Sequence, residues 1–146
     1  LLNVIFGNSS IQKGIKVIGL DLGATLSALF PGPRFGLNGV RQKTGRATGG
    51  LIVPVIKPQG SNADTLAQIA YSCALAGADI IKEDHGLPNQ HMAPFKERCE
   101  KISAAVQHAN AQTGGASQYF PNIAGRSEDL MEFASLPKMQ VRAGIW

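Results

Sequence analysis

A parallel α/β domain is what this chain encodes, and three observations predict it. Short apolar runs alternate with stretches of helical period from residue 51 onward, the links between them are short, and polar residues gather where the apolar runs end. Alternation with short links argues for βαβ units, in which each helix carries the chain back so that the next strand runs parallel. Periodicity alone does not separate an open doubly wound sheet from a barrel.

The first 50 residues are interrupted by glycine and proline, and "FPGPRFG" and "GRATGG" carry loop or turn chemistry. Residues 51–57, "LIVPVIK", form a nearly continuous apolar run, as expected of a strand buried on both faces. Pro54 is a defect within it, because proline cannot donate to a ladder. Residues 62–76 predict a helix. Ser61 or Asn62 can cap it, Asp64 sits in its first turn, Leu66, Ile69 and Cys73 give an apolar face, and Gly77 closes it. Residues 78–81 are a second short apolar run. Pro94, at a position suited to the first turn, opens a second helix in which Phe95, Cys99, Ile102, Val106 and Ala109 recur every three or four residues. Gly114 and Gly115 stop it. Residues 117–122, "SQYFPN", are a third strand, and Ser127, followed by Glu128 and Asp129, starts a third helix.

The 146 residues suffice for one domain with a real core, and 44% apolar against 16% charged residues marks a globular chain. The net charge of +4 is spread over residues such as Lys13, Lys16, Arg34, Arg41, Lys43 and Arg46, with no dense run and few aromatics to stack on bases. That suits a small anionic ligand and speaks against nucleic acid. No stretch is long and apolar enough to span a bilayer, and "LLNVIFGNSS" lacks the charged start of a signal peptide. No membrane role and a cytoplasmic location are therefore expected. Cys73 and Cys99 fall on apolar helix faces and read as buried free thiols rather than a disulfide.

One stretch carries the chemistry. "IIKEDHGLPNQ" sets four ionisable residues, Lys82 through His85, directly after a strand. Charged residues there are ordinarily a solvated turn. Two neighbours weigh against that. Lys57 ends an otherwise apolar strand before Pro58, where desolvation would lower its pKa and make it usable as a base. Asn122 ends the third strand. These residues all fall at the C-terminal ends of strands, the edge where parallel α/β proteins hold ligands. A zinc site from Asp84, His85 and His91 lacks the HExxH form, and "GRATGG" lacks the GxxxxGK[ST] pattern of a phosphate-binding loop.

In order and spacing, "GPRFGLNGVRQKTG", "VIKPQG", "GADIIKEDHGLPNQ" and "YFPNIAG" resemble the large subunit of RuBisCO and the RuBisCO-like proteins. "IFGNSS" looks like the end of that family's N-terminal domain. The resemblance runs to about Ala134. It implies a partial (β/α)8 TIM barrel, its first three or so βα units, preceded by the end of a small α+β domain. Residues 1–32 would be that remnant and its linker, and 33–134 the barrel start. It implies a site as well. Lys82 matches the lysine that takes up carbon dioxide as a carbamate and then ligates Mg2+, and Asp84 matches a carboxylate ligand of the same ion. Lys57 matches the lysine that transfers protons at the substrate during enolisation. Asn8 matches a substrate-binding asparagine contributed across the dimer, and Asn122 a substrate-binding asparagine on the third strand. A homodimer and a small phosphorylated sugar-like substrate are implied with them.

The departures are equally informative. Where the carboxylating enzymes have a glutamate ligand, this chain has His85. Carbamate, one carboxylate and imidazole supply two negative charges rather than three, a poorer set for an oxygen-loving ion. His85 then stands either as a metal ligand in the glutamate's place or as a catalytic base beside the metal. Gln59 replaces the second lysine of the family's K-P-K motif, Val55 replaces a threonine, and "FGNSS" and "DHGL" look like the RuBisCO-like subgroup. The resemblance therefore implies a magnesium-dependent isomerase, enolase, decarboxylase or related lyase that enolises a phosphorylated sugar or sugar acid. Ribulose-bisphosphate carboxylase proper is the alternative. The complete barrel needs ~250 residues, while this chain begins mid-pattern at Leu1 and ends after three units. An internal fragment with no catalysis of its own is thus a further expectation. Past Ala134, "SLPKMQVRAGIW" loses the helical period and sets Pro137 in the way, so 135–146 is expected to be an out-of-frame tail.

Overall fold

The computed structural model describes residues 12–29, 33 and 35–140, leaving aside the side chains of 127 and 137–140. The chain divides into two units, Leu1–Arg34 and Phe35–Trp146. The described part of the first holds one short exposed helix, α1 (Gly23–Ser27), where the Gly23 N–H donates to Asp21 Oδ1 at 2.8 Å.

The second unit alternates helix and strand: α2 (Gly36–Thr44), β1 (Val55–Ile56), α3 (Ala63–Leu75), β2 (Ile80–Glu83), α4 (Phe95–Thr113), β3 (Gln118–Phe120) and α5 (Ser127–Gln140). The strands form one parallel sheet in the order β1-β2-β3, with Val55 opposite Lys82 and Lys82 opposite Phe120. Parallel neighbours joined in sequence through helices are the opening units of a (β/α)8 barrel, here unclosed.

Helix α2 lies between the two loop stretches "FPGPRFG" and "GRATGG", where the sequence reading places no element. A Cβ on Gly39 would stand 2.8 Å from Phe35 Cβ, so a side chain there would force Phe35 to move. Gly45, at φ 70°, ends the helix in the left-handed conformation. Its Val40 is buried with Ile80 and Phe120 against the sheet.

Strand β1 is shorter than expected because Pro54 has no N–H to return to β2. The carbonyls still extend the ladder: Ile52 O accepts from the Ile80 N–H at 3.2 Å, Pro54 O from Lys82 at 3.1 Å, and Ile56 O from Asp84 at 3.1 Å. Burial on both faces is not found. Ile56 is buried, but Ile52, Val53 and Val55 are exposed, since β1 is the edge of this sheet.

Asn62 caps α3, its side-chain oxygen accepting from the Thr65 N–H at 2.8 Å. The buried stripe of α3 is Ala63, Leu66, Ala70 and Ala74, with Ile69 and Cys73 at its flank. Ala70 and Ala74, four residues apart on this stripe, pack in one cluster with Ile102, Val106 and Ala109 of α4. Pro94 is the residue before α4 rather than its first helical one, and Asn89 Oδ1 accepts from the Phe95 N–H at 2.9 Å. Helix α5 continues past Ala134 and through Pro137 to Gln140, so the lapse of period at residue 135 does not end it. Leu136 still packs against the cluster of Phe95, Cys99 and Phe133.

Candidate active site at the carboxyl edge of the sheet

Strand alternation decides which way the β2 charges face. Ile80 and Lys82 share a face with their partners Val55 and Phe120, while Ile81 and Glu83 point to the helix layer. Lys57, Asp84 and Asn122 follow directly on the carboxyl ends of β1, β2 and β3, one residue after Ile56, one after Glu83 and two after Phe120. Lys57 Nζ lies 3.5 Å from Asp84 Oδ1, and His85 Nδ1 lies 3.8 Å from the same oxygen. Asn122 Nδ2 donates to His85 O at 3.3 Å and to Leu87 O at 3.2 Å. Lys82 Nζ donates to Glu83 O at 2.6 Å. Asn8 lies outside the described residues.

Lys57 is 62% exposed, so the desolvation expected from its apolar strand is not met on this open face. Asp84 is the more sheltered group. The Gly86 N–H donating to its Oδ2 at 3.0 Å holds its carboxyl below the usual range, partial burial opposes this, and the charges of Lys57 and His85 add to the lowering. Asp84 is therefore an ionised hard-oxygen donor at neutral pH, with the imidazole of His85 beside it. Among the described residues, no three His, Cys, Asp or Glu side chains converge as a metal cage. The same-face lysine two residues before Asp84 becomes an oxygen donor only as its carbamate, and with that group the donor set fits a hard divalent cation.

Between Lys82 and Asp84, on the other face, is a residue to which sequence reasoning gave no role. Glu83 and Arg98 are completely buried and paired, with Nε to Oε1 at 2.7 Å and Nη2 to Oε2 at 3.1 Å. The Tyr119 hydroxyl donates to Glu83 Oε1 at 2.6 Å and the Asn122 N–H to Oε2 at 2.8 Å. Two signals could have found this pair. Period two sends Glu83 to the helix side, and Arg98 falls within the Phe95–Cys99–Ile102 stripe of α4. A charge on a buried face needs a partner.

The opposite sheet edge has a different character. A cavity of about 250 Å³ there is lined by Thr44, Arg46, Asp79 and Ser117 among others. Arg46 Nε donates to Asp79 Oδ1 at 2.5 Å, and Arg41 Nη2 to Gly49 O at 2.8 Å. The "GRATGG" loop is thus pinned at the far end from Lys57 and Asp84.

Residues 36–139 match the family model for the ribulose bisphosphate carboxylase large chain, catalytic domain. The chain is 40% identical over 146 residues to the 5-methylthioribulose-1-phosphate isomerase of Rhodospirillum rubrum, covering 99% of this chain and 37% of that protein. It is 33% identical over 135 residues to the 2,3-diketo-5-methylthiopentyl-1-phosphate enolase of Geobacillus thermodenitrificans, covering 92% of this chain and 33% of the enolase. Among solved structures, a Rubisco-like protein from Rhodopseudomonas palustris superposes with a TM-score of 0.82 at 41% identity, covering 99% of this chain and 42% of that one. The chain thus spans about a third of the length of the curated relatives it matches.

Proposed function

Because this chain belongs to the RuBisCO large-chain family, we propose that the protein, at full length, is a magnesium-dependent RuBisCO-like isomerase or lyase that enolises a phosphorylated sugar-like substrate. What supports the reading is the 3.5 Å between the Lys57 amine and the Asp84 carboxylate, beside the Asn122 side chain that holds the loop bearing Asp84 and His85. Lys57 moves the proton at the carbon next to the substrate carbonyl. Asp84 and Lys82, as its carbamate, would hold a magnesium ion, which when bound would supply charge stabilisation to the substrate oxygens. His85 adds either a further ligand or a second base, and Asn122 and Asn8 contact the substrate. A homodimer in the cytoplasm is part of the same reading. Among the described residues, no helix is long and apolar enough to cross a membrane.

Carboxylation of ribulose bisphosphate is the weaker reading, since His85 and Gln59 stand in place of a carboxylate ligand and a lysine. The experiment is proton exchange in heavy water, followed by NMR, on 5-methylthioribulose 1-phosphate with the full-length protein, magnesium and bicarbonate. Deuterium should enter next to the carbonyl, and Lys57→Met should stop it. Absence of exchange in the unaltered protein, or carbon dioxide fixation onto ribulose 1,5-bisphosphate, overturns the reading.

A further inference from the structure

Arg98 makes more contacts than an ion pair requires. A guanidinium has five N–H donors, and all five are used. Nε and one Nη2 proton go to Glu83. The other Nη2 proton goes to Leu87 O at 3.1 Å, and Nη1 serves Pro88 O at 2.9 Å and Ala93 O at 2.8 Å. Three carbonyls of the loop that follows Asp84 and His85 therefore converge on one side chain anchored in α4. Two of its acceptors are shared with Asn122: Glu83 Oε2 takes the Asn122 N–H, and Leu87 O takes its Nδ2 proton. Burying an ion pair is a poor route to stability, since a well-packed apolar pair often does as well. A planar fork with fixed donor directions is instead suited to holding several acceptors in one arrangement.

We propose that Arg98 is a positioning residue, which through Glu83 and Leu87 sets the loop bearing Asp84 and His85 against Asn122 and so preforms the cation-binding edge. This rests on the metal role of Asp84 proposed above. The test measures Mn2+ binding by electron paramagnetic resonance, in bicarbonate, and amide hydrogen exchange at Leu87 and Ala93, all in the full-length protein. Arg98→Lys keeps a charge for Glu83 but offers only three donors. It should weaken Mn2+ about tenfold and speed exchange of the loop amides, while α3 exchanges as before. Unchanged Mn2+ affinity together with unchanged loop exchange overturns the proposal. If Arg98→Lys does not fold, the double variant Glu83→Gln with Arg98→Met, which buries no charge, is judged by the same two measurements. Asp84→Asn separates the two readings. Mn2+ binding that survives it removes the metal reading, and the clamp then stands or falls on loop exchange alone.

Discussion

Replacing Glu83 by alanine leaves a full positive charge at a site with no exposure, since Arg98 loses the partner to two of its five donors. The Tyr119 hydroxyl and the Asn122 N–H lose their acceptor in the same step. Breaking a buried pair by removing one partner costs about 3–5 kcal/mol, and orphaning a buried hydroxyl adds a cost of roughly 1–3 kcal/mol. These overlap, because the remaining groups and water share the vacated space, so about 4 kcal/mol is the expected loss. In urea, with a slope of roughly 2 kcal/mol per molar, that is a midpoint lowered by about 2 M. Circular dichroism across a urea series reads it directly. The companion variant, Glu83→Met with Arg98→Met, should recover most of the loss, because it buries no charge and fills a similar volume. A single-variant shift below about 0.5 M urea would refute the reasoning, since the pair would then be solvated in solution.

Alkaline pH should act on the same core. Burial, then the charge of Glu83, pushes the Cys99 thiol up to about 12, and burial holds the Tyr119 hydroxyl well above its ordinary 10. Both folded-state values are raised, so their contribution is complete below pH 9 and is lost as pH climbs from 9 towards 12; a urea midpoint that stays flat across that window would contradict it. A disulfide-exchange reagent at neutral pH should label half-buried Cys73 well before Cys99, with the second thiol released only on unfolding. Asn62→Ala should cost about 1 kcal/mol by removing the cap of α3, read as a lowered unfolding midpoint. Gly39→Ala should cost about 1–3 kcal/mol, because Phe35 Cβ leaves no space for a methyl group; faster hydrogen exchange confined to α2 would locate the effect.

What could be read in advance follows the range of the interaction. Strand and helix order, the Asn62 cap, the Gly77 and Gly114 stops and the α4 stripe are set within a few residues of themselves, so pattern and cap chemistry reveal them. Helix α2 is not legible in the sequence, because Gly39 is a weak helix former and its fit against Phe35 appears only in the folded chain. Helix α5 reaches Gln140 although the local period lapses at residue 135, with Leu136 still packed on the cluster of Phe95, Cys99 and Phe133.

By itself the sequence determined that Lys57, Lys82, Asp84, His85 and Asn122 stand at strand ends, because alternation and turn residues act along the chain. Only the tertiary structure decided that Lys57 meets Asp84, that Glu83 turns inward, and that Arg98 gathers the carbonyls of a loop up to eleven residues away in sequence. Register across strands and the filling of a guanidinium's donors depend on groups distant along the chain, which no local pattern encodes.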